Sequence, residues 1–299
     1  MAKFRKAFGK QWQFHVMLIP SLVIVFIFGY IPLYGLVMAF QKYNPGKGFN
    51  SPWVGLGNYS FLFNQPNFVS TIWNTLYIAF FKIFGGIFVS VLFAILLNEV
   101  RKNSIRRIFQ TMVYIPNFLS WVVFAGILMD ILSGNGLVNT GLASLGLQPI
   151  NFLGDVNIFP WTLILTDIWK GFGFGTVVYL AALTSIDPEL YEAALMDGAM
   201  RWKQTLYITL PLLTPIIMLM MVLSMGNILN AGFEQVFNLY SPIVYSTGDI
   251  IDTYVYRLAF LQAQYSVATA VGMFKSIVSG ILIALSYYLA DRFAGYRVF

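Results

Sequence analysis

Residues 186–211 of this chain read IDPELYEAALMDGAMRWKQTLYITLP. Asp187 is a residue type that caps the N-terminus of a helix, and Glu189 would favour the positive end of that helix's dipole. Gly198 suits the left-handed conformation that commonly ends a helix. The pattern predicts a short helix, a sharp turn and a second helical segment. We call this rigid feature, residues 187–203, the knob.

Long apolar stretches flank the knob on both sides and recur along the chain. Hydrophobic residues make up 58% of the sequence and charged residues only 10%, with a mean hydropathy of +0.73. Soluble domains carry about 25% charged residues, so lipid is the better solvent for this composition. A bilayer core needs roughly 20 apolar residues in a helix. Six stretches qualify, at residues 16–40, 72–97, 108–129, 158–186, 205–231 and 266–290. The predicted fold is an all-α polytopic membrane protein with six transmembrane helices.

The basic residues predict the orientation. With the N-terminus inside, the cytoplasmic segments hold twelve Lys and Arg residues and the outer segments hold three. The twelve are Lys3, Arg5, Lys6, Lys10, Arg101, Lys102, Arg106, Arg107, Arg201, Lys203, Arg292 and Arg297, and the three are Lys42, Lys47 and Arg257. This excess follows the positive-inside rule and places both termini in the cytoplasm. Because membrane orientation accounts for the net charge of +6, nucleic acid is not an expected partner.

The knob also carries a specific resemblance. Glu192-Ala193-Ala194, three residues, Gly198, nine residues and then Ile208-x-Leu210-Pro211 resemble the EAA signature of binding-protein-dependent ABC importer permeases. In that family the knob is the coupling helix, which sits in a groove on the ATP-binding subunit. The resemblance extends over about residues 73–290 and implies the type I importer transmembrane fold. The residues it implies for coupling are Glu192, Ala193, Ala194, Asp197 and Gly198.

The resemblance also suggests how the chain is divided. Residues 1–71 would form an N-terminal tail, the first transmembrane helix and the first outer loop. Residues 72–291 would form a five-helix MetI-like permease core that includes the coupling helix at 187–203. Residues 292–299 would be a cytoplasmic tail.

Three further stretches resemble the carbohydrate branch of these permeases, close to its polysaccharide and oligosaccharide members. They are Tyr114-Ile115-Pro116, residues 136–139 and residues 252–257. The resemblance implies the permease subunit of an importer that moves an oligosaccharide or polysaccharide fragment across the bacterial inner membrane by ATP-driven alternating access. It implies a second permease subunit, expected to be a different chain, two ATP-binding subunits and an extracytoplasmic solute-binding protein. A permease for a non-sugar solute and an ion-coupled secondary transporter are the alternatives.

The sequence lacks the residues that an ATPase or another enzyme would need. Gly9-Lys10 and Gly46-Lys47 do not complete a phosphate-binding loop. The chain has one histidine, His15, and no cysteine, which leaves no thiolate or paired metal ligands. We therefore expect no catalytic residue, no metal and no cofactor on this chain, with ATP and Mg²⁺ bound by the partner subunit.

Four charged residues fall near the middle of three predicted spans: Lys82, Asp167, Lys170 and Lys275. Charges at this depth are costly and are candidates for function. One interpretation is structural, with Asp167 neutralising a lysine and locking the bundle; Asp167 and Lys170 are three residues apart on one helix face. The other places the lysines at a water-filled pathway, where they favour hydroxyl-rich or acidic substrates.

The fifth predicted span offers a second polar group. Asn227, Asn230 and Glu234 would share one helix face near the outer end. Such amides and carboxylates could bind sugar hydroxyls, with Trp169 or Tyr254 stacking on sugar rings. Hydrogen bonding between helices, which Asn supplies in membranes, is the alternative.

Overall fold

The structure is a computed structural model that describes the backbone of residues 12–294 and the side chains of residues 12–288. Within this range, six helical stretches are long and apolar enough to cross a membrane. They are Trp12–Phe40, Pro66–Glu99, Trp121–Ser144, Phe159–Thr184, Arg201–Met225 and Tyr265–Tyr288. The predicted all-α polytopic fold with six spans is confirmed. The basic residues at positions 3–10 and the side chains at 292 and 297 lie outside the described residues.

The helices are numbered here in chain order. They are α1 (Trp12–Phe40), α2 (Gly57–Phe63), α3 (Pro66–Glu99), α4 (Asn103–Phe118), α5 (Trp121–Leu132), α6 (Leu137–Ser144), α7 (Phe159–Thr184), α8 (Pro188–Met196), α9 (Arg201–Met225), α10 (Phe233–Leu239), α11 (Tyr245–Gly248), α12 (Ile251–Tyr256) and α13 (Tyr265–Ala294). Short 3₁₀ and π-helical turns cover Pro242–Val244 and Arg257–Leu261. A π-helical segment, Thr205–Thr209, also lies within α9.

The chain forms two compact units. Among the described residues, the first comprises residues 12–64 with Arg257–Phe274, and the second comprises Gln65–Tyr256 with residues 275–294. In the first unit, Asn58 Nδ2 donates to the carbonyl oxygens of Ala39 (2.8 Å) and Gln41 (3.0 Å), which holds the loop after α1. The division into residues 1–71, 72–291 and 292–299 stays a prediction.

The centre of the second unit is the packing of α3 against α7. Val91, Ala94 and Leu97 of α3 lie in one buried cluster with three side chains of α7, Tyr179, Leu180 and Leu183, and with Leu213 of α9. Small residues allow the two helices to approach closely. A Cβ at Gly175 would lie 2.6 Å from the Ser90 hydroxyl, and one at Gly85 would lie 2.5 Å from Ile168. This close packing positions the charged residues of both helices.

The third span differs from the prediction. Instead of one helix over 108–129, α4 ends at Phe118 and α5 begins at Trp121. Leu119 is extended (ψ 138°), and the Ser120 side chain accepts from the Val123 backbone N–H at 3.3 Å, capping α5. Ser is a strong N-cap residue, and Pro116 lacks the N–H that would bond back to the preceding turn. The predicted span is also displaced along the chain, because α4 mixes polar with apolar residues and the third stretch apolar enough to cross a membrane is Trp121–Ser144.

Candidate functional site

The knob has the cap geometry that its sequence predicts. The Asp187 side chain accepts from the Glu189 backbone N–H at 3.0 Å. At the other end of α8, Gly198 has φ +77°, Gly198 N donates to Leu195 O at 3.1 Å, and Ala199 N donates to Ala194 O at 2.8 Å. These two bonds form a Schellman motif, which ends a helix and fixes the direction of the next segment. The predicted helix, turn and second helix are confirmed.

The tip of the knob exposes large apolar side chains. The exposed fractions are 67% for Leu195, 88% for Met196, 81% for Met200 and 76% for Trp202. They lie on both sides of the turn at Gly198. Several large, exposed apolar side chains grouped around one turn are typical of an interaction site.

Three polar contacts hold the knob to the neighbouring helices. The Tyr191 and Thr209 hydroxyls are 3.0 Å apart, and the buried Gln204 amide donates to Ala199 O at 3.0 Å. Arg201, the first residue of α9, pairs with Glu99, the last residue of α3. The knob is therefore linked directly to two membrane-crossing helices.

The residues predicted for ATPase coupling lie together on the knob. Glu192, Ala193, Asp197 and Gly198 are exposed, and Ala194 is half-buried. Glu192 also lines a cavity of about 350 Å³ behind α8. These positions leave the four exposed residues accessible to a partner, and their part in coupling stays a prediction.

A second candidate site is a cavity among α3, α7 and α9. Its volume is about 410 Å³. The lining comprises Ala79, Lys82 and Ile83 of α3, Asp167 of α7, Leu223 and Ser224 of α9, and Asn227, Asn230, Ala231 and Gly232 of the segment after α9. Two amides, a hydroxyl and two opposite charges converge here, a set able to hydrogen-bond a polyhydroxylated ligand.

Lys82 is the most constrained residue of this cavity. Its Nζ donates to Ala231 O at 2.7 Å and to the side-chain oxygen of Gln235, and it lies 3.6 Å from Asp167 Oδ1. Gln235 is fully buried, and its amide nitrogen donates to Leu163 O and Thr166 Oγ1, each at 2.8 Å. Buried charges persist where they are paired and hydrogen-bonded in this way.

Gln235 was missed by sequence reasoning. It lies in the long stretch between the fifth and sixth predicted spans, where no period or motif marks it. Its partner Lys82 is 153 positions away in the chain. Only the packing of α10 beside α3 and α7 brings the two together.

The other two intramembrane lysines have different surroundings. Lys170 does not pair with Asp167; its Nζ donates to Asn117 O at 3.2 Å and lies 5.1 Å from the Trp121 ring centroid. The cation thus stabilises a carbonyl at the C-terminal end of α4, at the break in the third span. Asp167 neutralises Lys82 instead, which agrees with the structural interpretation of Asp167 but not with the i, i+3 pair.

Lys275 forms a separate ion pair. Its Nζ lies 2.5 Å from Asp252 Oδ1 of α12 and 2.6 Å from Asn230 Oδ1. Among the described residues, Lys275 and Asp252 do not line the 410 Å³ cavity, whereas Asn230 does. Lys275 therefore meets the cavity only through the Asn230 amide.

The predicted face of Asn227, Asn230 and Glu234 is wrong. The helix α9 ends at Met225, and Gly232 adopts φ +92°, so residues 226–232 are not helical. Asn227 and Asn230 still line the cavity, but Glu234 is exposed in the first turn of α10. The chain leaves the helix in a turn over residues 226–229, and the left-handed Gly232 directly precedes α10; an apolar pattern alone does not predict this.

The predicted stacking residues lie apart from the cavity lining. Trp169 packs against Phe124 with ring centroids 5.2 Å apart, and it remains 44% exposed. Tyr254 is buried against Phe68, with ring centroids 5.9 Å apart. Among the described residues, neither aromatic side chain contributes to the 410 Å³ cavity.

Comparison with known proteins identifies relatives along nearly the whole chain. Two are from Bacillus subtilis (strain 168) and are 40% identical: protein LplB over 285 residues, and the polygalacturonan/rhamnogalacturonan transport system permease protein YteP over 288 residues. Each alignment covers 95% of this chain and 89% of the relative. A crystal structure of a bacterial ABC transporter involved in the import of the acidic polysaccharide alginate contains a chain that matches with a TM-score of 0.89 and 37% identity, covering 97% of this chain and 99% of that one.

The resemblance predicted from the signature of residues 192–211 is confirmed by a family model. The model for the "Binding-protein-dependent transport system inner membrane component" matches residues 86–296. This range includes the knob and the cavity-lining residues Asp167, Asn227 and Asn230. The chain is therefore a multi-pass inner-membrane protein that belongs to the family of binding-protein-dependent transport system inner membrane components.

Proposed function

We propose that the chain is the permease subunit of an ABC importer that moves an oligosaccharide or polysaccharide fragment into the bacterial cell. The observation that supports a saccharide as the transported solute is the 410 Å³ cavity between membrane-crossing helices. Its lining includes Lys82, Asn227 and Asn230. The Asn227 and Asn230 amides, the Ser224 hydroxyl and the Asp167 carboxylate match the donors and acceptors of sugar hydroxyls. The names of YteP and of the alginate transporter, both acting on polysaccharides, support the same class of solute.

The knob is the proposed attachment point for the motor. With both termini in the cytoplasm, as the positive-inside bias predicts, the knob faces the cytoplasm and docks on an ATP-binding subunit. The exposed apolar tip around Gly198 supports this assignment. ATP and Mg²⁺ are then bound and used by that subunit. This chain supplies the pathway for the solute and transmits the motion of the ATP-binding subunit to the membrane-crossing helices.

Further partners complete the proposed importer. They are a second permease subunit, expected to be a different chain, a second ATP-binding subunit and an extracytoplasmic solute-binding protein. The family's description as binding-protein-dependent supports the last of these. A related structure, 38% identical to this chain, is described as an alginate ABC transporter in complex with an alginate pentasaccharide-bound periplasmic protein, which supports it further.

The proposed mechanism is rigid-body alternating access. Closure of the ATP-binding subunits draws the knobs together. The contacts of Tyr191 and Arg201 then pass this motion to α9 and α3. Since α3 is one continuous helix of 34 residues, a shift at Glu99 displaces Lys82 on the same helix.

We assign the pathway to Asn227, Asn230 and the Lys82–Asp167 ion pair rather than to all the residues with candidate chemistry. Lys170, with its bonds to the break in the third span, and Tyr254, buried against α3, are assigned to packing. Lys275 acts through Asn230. Glu234 and Trp169 are exposed and are available for contacts with other subunits.

The experiment that tests this function is uptake of labelled oligosaccharide into vesicles that contain the permease pair and the binding protein, with and without the ATP-binding subunit. The expected result is uptake that needs both ATP and the ATP-binding subunit. A non-sugar solute transported under the same conditions would favour the alternative ABC permease. Uptake driven by an ion gradient without the ATP-binding subunit would favour a secondary transporter and contradict the proposal.

A further inference from the structure

Two cavities follow one another along the same three helices. The first is the 410 Å³ cavity. The second, of about 200 Å³, is lined by residues of α3, α7 and α9 that lie closer to the knob in sequence, such as Ser90, Tyr179 and Met220. The residues that line both are Lys82, Ile83, Asp167 and Ser224. The Lys82–Asp167 ion pair therefore lies at the junction of the two cavities and supplies the charged groups that line both.

The two members of the pair are not equally accessible. The Lys82 side chain is 7% exposed, and the Asp167 side chain is 34% exposed. Two of the acceptors around Lys82 Nζ, Ala231 O and the Gln235 side chain, carry no charge. Asp167 is therefore the group that cancels the lysine's charge, and it is also the group that a solute at the junction would touch.

We propose that Asp167 is a specificity-determining residue for the charge of the transported saccharide; this rests on the proposed function. With Asp167 ionised, the junction has no net charge, and a sugar carboxylate is neither held nor rejected there. Without it, Lys82 would be an uncompensated cation in a site of low dielectric, where it would attract a carboxylate strongly. Asp167 thus lets acidic and neutral sugar residues pass with similar ease.

The test compares an acidic oligosaccharide with its neutral methyl ester, for example a trigalacturonate and its trimethyl ester. Each is added with the binding protein to the complete importer in proteoliposomes, and the stimulated ATP hydrolysis and uptake are measured. Because the same binding protein serves every variant, its own preference cancels when acid-to-ester ratios are compared between variants. Asp167→Asn is expected to raise the ratio about tenfold, which corresponds to about 1.4 kcal/mol.

Two matched variants separate this effect from a structural one. The double variant Lys82→Gln with Asp167→Asn removes both charges and is expected to return the ratio to the wild-type value. Asp130→Asn removes an exposed carboxylate of α5 that lines neither cavity, and it is expected to leave the ratio unchanged.

The outcomes distinguish the inference from the proposed function. If no saccharide stimulates the wild-type importer, the proposed function is overturned, and the inference with it. If the wild type responds but Asp167→Asn leaves the ratio unchanged, or lowers both activities equally, only the inference is overturned. An equal shift in Asp130→Asn would also overturn it, because the effect would then not belong to the junction.

Discussion

Gly198 connects the two halves of the knob, and replacing it by alanine perturbs the knob in a way that can be worked out from the structure. Its φ of +77° lies in the left-handed region, where any side chain is strained. A Cβ at this position meets no atom within 4 Å, so the cost is confined to the backbone. That cost is about 1–2 kcal/mol, or roughly a 5- to 30-fold shift in the equilibrium between the native turn and other conformations.

The assay is the ratio of sugar transported to ATP hydrolysed by the purified complex in proteoliposomes. Gly198→Ala is expected to lower this ratio several-fold, and the β-branched Gly198→Val more, while the ATP-binding subunit continues to hydrolyse ATP. Gly126→Ala is the matched control, since a Cβ there also meets no atom within 4 Å but the residue lies inside α5. Equal ratios for wild type and both Gly198 variants would refute the coupling assigned to the knob.

Three further predictions concern the knob and the helix packing. Glu192→Lys is expected to uncouple ATP hydrolysis from uptake, because it reverses the charge on the docking face. Glu189→Lys on the same helix should lose only the favourable interaction with the helix dipole, about 0.3–1 kcal/mol of stability. An equal loss of uptake per ATP in both variants would contradict this. Gly173→Ala places a Cβ 2.1 Å from a backbone carbonyl oxygen of α4, so it should destabilise the protein by about 1–3 kcal/mol in thermal unfolding. In Gly171→Ala the added Cβ meets no atom within 4 Å, so this variant should keep the wild-type stability. Gln235→Leu removes an acceptor from a buried ammonium group and should cost about 1–3 kcal/mol, so an unchanged melting temperature would argue against the network.

The fold was predictable because its main signals are local or additive. Six apolar stretches of sufficient length define six spans whatever their tertiary arrangement. The hydrogen bonds at both ends of α8 were also predictable, because Asp187 and Gly198 act on backbone groups within a few residues of themselves. No knowledge of the rest of the molecule is needed for either.

The errors occurred where the backbone leaves the helix inside an apolar stretch. The end of α9 at Met225 lies inside such a stretch, and the break at Leu119 and Ser120 lies where the amphipathic α4 meets the apolar α5. The Ser120 side chain caps α5 and the left-handed Gly232 precedes α10, and neither residue was used to place a helix boundary. The predicted face of Asn227 and Glu234 was wrong for this reason.

The pairing of charges was only partly predictable. Asp167 lies one turn from Lys170, and the local i, i+3 rule favours that pair. The close packing of α3 on α7 brings Lys82 to Asp167 instead, while Lys170 turns to the Asn117 carbonyl. Which lysine pairs with Asp167 depends on how closely the helices approach one another. Residues such as Gly175 set this distance, which is a property of the tertiary structure.

The most direct test of the central claim is ATP hydrolysis by the complete importer, purified with its ATP-binding subunits, the second permease subunit and the binding protein, across a panel of acidic and neutral oligosaccharides. We predict that one or more saccharides, delivered by the binding protein, stimulate hydrolysis well above the basal rate, and that Glu192→Lys removes the stimulation. Stimulation by none of the saccharides, together with stimulation by an amino acid or another non-sugar solute, would contradict it.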